Sequence, residues 1–142
     1  MSKKLLNNGF TLIELLIVIG IIALLALVVF ITLDPAEKFA MARNAQRWQD
    51  ITTILNSVKH YQIAHEGALP PGFPEEPTII GDGKEGTYDM SEYMTPLYLP
   101  RVPSDPRASS AYTCYSVGRE FGILIVVRAE CAELNESIEL KW

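Results

Sequence analysis

Histidine and cysteine are scarce in this 142-residue chain, two of each, and it contains no phosphate-cradling glycine loop of the P-loop or dinucleotide-binding type. His60 and His65 lie five residues apart, off the i, i+4 spacing that sets two ligands on one helix face, and both are read as surface residues. The serines lack a recognisable nucleophile context. Positive charge is also short: 12 Lys and Arg against 17 Asp and Glu give a formal net charge of −5, which offers no general attraction for nucleic acid. A DNA contact would need a local basic patch that the sequence does not display. No catalytic set, metal site or cofactor emerges, and the chain reads as a non-enzyme.

The most telling shortage is of charge near the amino terminus. The 23 residues from Thr11 to Leu33 carry one ionisable side chain, Glu14. At about 1.5 Å per helical residue this run is long enough to cross a bilayer core of roughly 30 Å. A carboxylate in hydrocarbon costs about 2.5 to 3.5 kcal/mol, so Glu14 needs a partner, and the nearest one would be a new α-amino group made by cutting the chain before Phe10. A secretory signal peptide has an apolar core of only about 7 to 15 residues with a small-residue cleavage site after it. Here the run is longer and no clear Ala-x-Ala follows. A plain single-span anchor accounts for the length but gives no reason for Glu14.

Lys3-Lys4, a polar stub, Gly9, then Phe10-Thr11-Leu12-Ile13-Glu14 and the apolar tail resemble the class III signal of type IV prepilins and of the related pseudopilins of type II secretion. The resemblance implies cleavage between Gly9 and Phe10 by a prepilin peptidase, N-methylation of Phe10, and Glu14 as the assembly acid that pairs with the Phe10 amine. It also implies a fold: α+β, with a long N-terminal helix, transmembrane in its first half and amphipathic in its second, packed on a small antiparallel sheet. Charge alone does not set the topology, because Lys38, Arg43 and Arg47 flank the far side of the span as Lys3 and Lys4 flank the near side. The resemblance places the C-terminal domain outside the cytoplasm.

Four segments follow: a leader over 1–9, a transmembrane polymerisation helix over 10–33, an amphipathic half-helix over 34–66, and a Pro-rich loop with a β-meander over 67–142. Asp34-Pro35 marks a hinge between the helical halves, since proline deletes a ladder hydrogen bond, while Asp34 suits an N-cap and Pro35 a first helical position. Past it, Phe39, Trp48, Ile51, Ile54, Leu55, Val58 and Tyr61 recur at spacings of three and four, with Arg43, Arg47, Asp50, Asn56, Lys59 and His60 between them. From Trp48 onward the stripe is read as domain core; Phe39, Met41 and Ala45 are left to meet neighbouring subunits. Gly67 ends the helix.

Eight of the nine prolines fall between Pro70 and Pro106, so this segment is expected to be surface loop, with a short helix near 89–95 capped by Asp89 and stopped by Pro96. Tyr98 to Pro106 is similar to the proline–aspartate–proline passage that many pilins and major pseudopilins carry before their C-terminal strands. Strands are expected over Ala111 to Val117, Ile123 to Ala129 and Ser137 to Trp142. The acids and glycines of 81–89 miss the EF-hand pattern and are read as a solvated loop.

Cys114 and Cys131 both lie beyond the span, where a pair tends to oxidise. A tight turn centred near residue 120 sets Cys114 opposite residues 124 to 126, so a disulfide requires a bend or another register.

The function implied is the major subunit of a type IV pilus: a single-pass precursor in the inner membrane, then a self-assembled helical homopolymer on the cell surface serving adhesion, motility or DNA uptake. Its partners would be copies of itself, the prepilin peptidase, the inner-membrane assembly platform with its ATPase motor, and lipid before assembly. The alternatives are the major pseudopilin of a type II secretion system and, from another class, a single-span anchored binding domain that keeps its uncut start.

Overall fold

A computed structural model of the chain describes residues 9–84, 86–108 and 112–142. Residues 1–8 of the expected leader, Glu85 of the acidic loop, and Ala111 at the expected start of a strand lie outside the described residues. The elements run α1 (Leu12–Leu33), α2 (Pro35–Ala64), β1 (Thr78–Gly81), α3 (Ser91–Met94), β2 (Tyr112–Glu120), β3 (Leu124–Ala129) and β4 (Glu139–Lys141). The chain is α+β and divides into two compact units after Lys38.

The first unit holds α1 and the first turn of α2. The long run of Leu, Ile, Val and Ala in α1 is α-helical from Leu12 to Leu33, and none of its residues is buried. Helical geometry stops at Asp34, which has φ 38° and ψ 80°, and α2 starts on Pro35. Asp34 Oδ1 accepts from the Glu37 amide at 3.4 Å and Asp34 O from the Lys38 amide at 3.2 Å, so the residue closes one helix and begins the next.

In the second unit, α2 lays Ile51, Ile54, Leu55, Val58 and Tyr61 into one core with Tyr115 and Val117 of β2 and Ile125, Val127 and Ala129 of β3. Those strand residues alternate, as period-two geometry requires of one sheet face. Phe39 is outside the core and 65% exposed. The helix closes on Glu66 and Gly67, both at positive φ, with the Gly67 amide donating to Gln62 O at 2.7 Å.

The sheet is antiparallel in the order β1-β2-β3-β4. It has four strands where three were expected. The segment between Pro70 and Pro106 is therefore not only surface loop. Thr78–Gly81 opens the segment's longest proline-free stretch, keeps its amide donors, and sits at the sheet edge, where Pro77 just before it costs no ladder bond. Phe73, Ile80, Tyr88, Met90, Met94 and Leu99 of the same segment enter the core. α3 is shorter than expected and its N-cap is Met90, with no side-chain cap bond, not Asp89; Asp89 Oδ1 accepts from the Ser91 amide at 2.8 Å just before it. Just before β1, the Glu76–Pro77 backbone crosses Gly118 so closely that a Cβ there would lie 2.4 Å from Glu76 O.

The β2–β3 turn sits two residues later than expected. Glu120 pairs with Leu124 and Tyr115 with Ala129, which centres the turn on Gly122; Phe121 and Gly122 both take positive φ. β2 runs on through Gly118 and Arg119 to Glu120, past the end expected at Val117.

Candidate functional site

α1 opens on a reciprocal cap. The Thr11 hydroxyl accepts from the Glu14 amide at 3.2 Å, and Glu14 Oε2 accepts from the Thr11 amide at 2.8 Å and the Thr11 hydroxyl at 2.7 Å. This is a capping box: two amides with no intrahelical partner are satisfied by each other's side chains. The one acid of the apolar run is thereby held against the backbone at the helix start, beside the Gly9–Phe10 bond and favourably placed for the helix dipole. Phe10 is 83% exposed.

Beyond the cap, every large apolar side chain of α1 faces outward, from Leu12 to Leu33. α1 is also the one helix among the described residues long and apolar enough to cross a membrane. So large an exposed apolar surface marks a site of membrane or protein contact.

The site residues named from the sequence fall into three places. Gly9, Phe10 and Glu14 gather at the start of α1, Asp34 and Pro35 form the helix break, and Cys114 and Cys131 are joined in a disulfide with a Cα separation of 5.6 Å. The bond follows from the displaced turn: Cys114 lies opposite Glu130, whose amide donates to Cys114 O at 2.9 Å, and Cys131 is the next residue. Cys114 itself sits at φ 62°, a local irregularity at the start of β2.

Arg47, placed by its charge among the polar positions of α2, is instead fully buried. Its Nε donates to Asp105 Oδ2 at 2.5 Å and its Nη2 to Asp105 Oδ1 at 3.1 Å, while Nη1 reaches Glu133 Oε1 at 2.9 Å and Asn44 Oδ1 at 2.7 Å. Arg43 grips the same Glu133 at 2.6 and 2.7 Å. With Arg43, Arg47 and Arg107 around it, the Glu133 carboxyl is pulled down to about 2, the Arg43 hydrogen bonds being the largest cause. The spacing 47, 51, 54, 58 already put Arg47 on the apolar stripe, and that was the signal for its burial.

His60 and His65 are both exposed, and the His65 ring stacks on Tyr61 with centroids 3.9 Å apart. Asp82 Oδ2 is 3.3 Å from the Lys84 ammonium, and Asp89 is engaged with Ser91. No group of three or more His, Cys, Asp or Glu suited to a metal occurs among the described residues.

A sequence profile of the prokaryotic N-terminal methylation motif matches residues 5–30. The amino-terminal segment is a class III prepilin signal. The signal supports a type IV pilin or pseudopilin, a structural protein rather than an enzyme, with membrane anchoring as a precursor. It implies processing by prepilin peptidase and pilus assembly. Against curated proteins and against solved structures, no match was found. The prepilin signal covers α1 through Phe30 and leaves the second unit outside the match.

Proposed function

We propose that the chain is the major subunit of a type IV pilus, cleaved after Gly9, methylated on Phe10, and polymerised through α1. The observation that carries this reading is the pairing of a fully exposed apolar helix with one acid fixed at its first turn. In the membrane, lipid covers the helix. In a filament, neighbouring helices replace lipid at little hydrophobic cost, and the direction of assembly is set by polar pairing at the one charged position. Cleavage creates an ammonium on Phe10, one residue before the capping box, and Glu14 Oε1 is the carboxylate oxygen outside the cap bonds. That oxygen accepts from the ammonium of the same or a neighbouring subunit.

The segment after β3 is tied down by the Cys114–Cys131 bond and by Glu133 on three arginines. A surface pilus and a secretion pseudopilus are separated by the electron microscopy below. Asp34 and Pro35 serve as the hinge between the membrane half and the domain half of the helical region.

Two readouts on the native protein test this. Mass measurement of the mature N-terminus is expected to give N-methylated Phe10, and electron microscopy of the source cells is expected to show long surface fibres that contain the chain. An N-terminus upstream of Phe10 would return the chain to a plain anchor. Methylated Phe10 with short periplasmic assemblies in place of surface fibres would make it a pseudopilin.

A further inference from the structure

The segment between β3 and β4 has work left to explain. It contains Asn135-Glu136-Ser137, which is the one Asn-x-Ser/Thr triplet in the chain. Such a triplet marks an asparagine that can accept a sugar when it stands on an exposed loop outside the cytoplasm.

Glu133-Leu134-Asn135-Glu136 is a tight turn closed by the Glu136 amide donating to Glu133 O at 3.1 Å. Both central residues have positive φ, 60° at Leu134 and 55° at Asn135, as a type I′ turn requires. Asparagine tolerates that region well and leucine poorly, so the surroundings must hold the turn in place. They do so from both ends. Asn44 Nδ2 donates to Glu133 O at 2.9 Å, and Asn44 Oδ1 accepts from the Glu133 amide at 3.0 Å. Glu136 takes bonds from Asn44 Nδ2 at 2.7 Å and Trp48 Nε1 at 3.0 Å.

With the two acids turned down onto α2, Asn135 and Ser137 are exposed, and neither side chain hydrogen-bonds to another described residue. The tip borders an open groove of about 500 Å³ whose walls include Arg128, Glu130 and Glu139, a polar surface on which a hydroxyl-rich first sugar can lie. The carboxamide is thus presented on a rigid mount, free of internal partners.

We propose that Asn135 is an N-glycosylation site. The donor class is an oligosaccharide carried on a polyprenyl diphosphate. The Asn135 amide nitrogen attacks the anomeric carbon, a C–N bond forms as the bond from that carbon to the phosphate oxygen breaks, the polyprenyl diphosphate leaves with the electron pair, and one amide proton passes to a base of the transferase. The proposal rests on the domain lying outside the cytoplasm, as the pilus reading places it, and does not need the chain to polymerise.

The test is mass spectrometry of the reduced, alkylated tryptic peptide 129–141 from fibres and membranes of the native host, with Asn135→Gln, Ser137→Ala and Ser137→Thr made at the chromosomal locus. The expected result is a carbohydrate mass on the wild-type peptide, lost completely in Asn135→Gln and Ser137→Ala and kept in Ser137→Thr. A wild-type peptide found only unmodified would overturn the proposal, as would a carbohydrate mass that survives Asn135→Gln. If a variant fails to accumulate, the wild-type spectrum decides alone. Unmodified Asn135 in intact fibres would sink this site and leave the filament reading standing; a glycosylated chain never found in fibres would do the reverse.

Discussion

The two units of this molecule invert the usual distribution of residues. In the first, twenty-two residues of α1, almost all apolar, bury nothing within the chain; in the second, a guanidinium lies at the bottom of the domain with no exposed surface. Burial in a single subunit therefore reports which partners the chain brings with it. Arg47 brings Asp105 and Glu133, so its charge can be sequestered, whereas among the described residues α1 has Thr11 for Glu14 and none of its Leu and Ile side chains is buried. On the pilus reading, such a helix is completed by lipid or by other copies of itself.

The sharpest way to break the comparison is at Glu14. Glu14→Leu keeps the apolar span and is expected to leave insertion intact while surface fibres fall at least about tenfold, since a paired charge left alone in an apolar bundle costs about 3 to 5 kcal/mol. Fibre yield by shearing and membrane level by immunoblot separate the two effects. Wild-type fibre yield in this variant would contradict the assembly role.

The matching change in the second unit is Arg47→Met. It strands Asp105 without a counter-charge and is expected to lower stability by about 3 to 5 kcal/mol, most of it regained when Asp105→Leu is added. Urea unfolding of the full chain in detergent, followed by tryptophan fluorescence, reads both variants. Next in size is the disulfide. Replacing Cys114 and Cys131 by serine opens a loop with a sequence separation of 17. Loops of that size lose about 3 kcal/mol when opened, and the same unfolding curve measures it.

Gly118→Ala sharpens a smaller point, because its methyl group would collide with the Glu76 carbonyl. The expected cost is about 1 to 3 kcal/mol as the strap before β1 lifts. Smallest is the pH response of Glu133. Its pKa of about 2 lies below the ordinary carboxylate value, so its contribution is fully present above that ordinary value and is lost as pH falls towards about 2. Melting curves between pH 5 and roughly pH 2 should flatten in Glu133→Gln relative to wild type. Equal slopes would remove Glu133 from the network.

How much of this was legible beforehand differs between the two units for a physical reason. The uninterrupted run of α1 and its lone Glu14 are local in sequence, and the span, its start and the break at Asp34-Pro35 could be read from adjacent residues. The second unit depends on contacts between distant residues. Arg47 looked like a surface charge because its partners lie 58 and 86 residues away. β1 was hidden because the prolines around it dominated the reading of a four-residue strand whose partner, β2, comes some thirty residues later. The disulfide turned on a two-residue displacement of one turn, where Phe121 takes a left-handed conformation that its sequence does not announce.

The claim that α1 is a surface awaiting copies of itself is tested most directly by electron cryo-microscopy of fibres sheared from the native host. The expected map has chains that begin at Phe10, with Leu12 to Leu33 of each subunit enclosed by the same segment of its neighbours and Glu14 inside the bundle. Fibres in which α1 lies on the outer surface, or cells whose mature protein stays monomeric in the membrane, would contradict it.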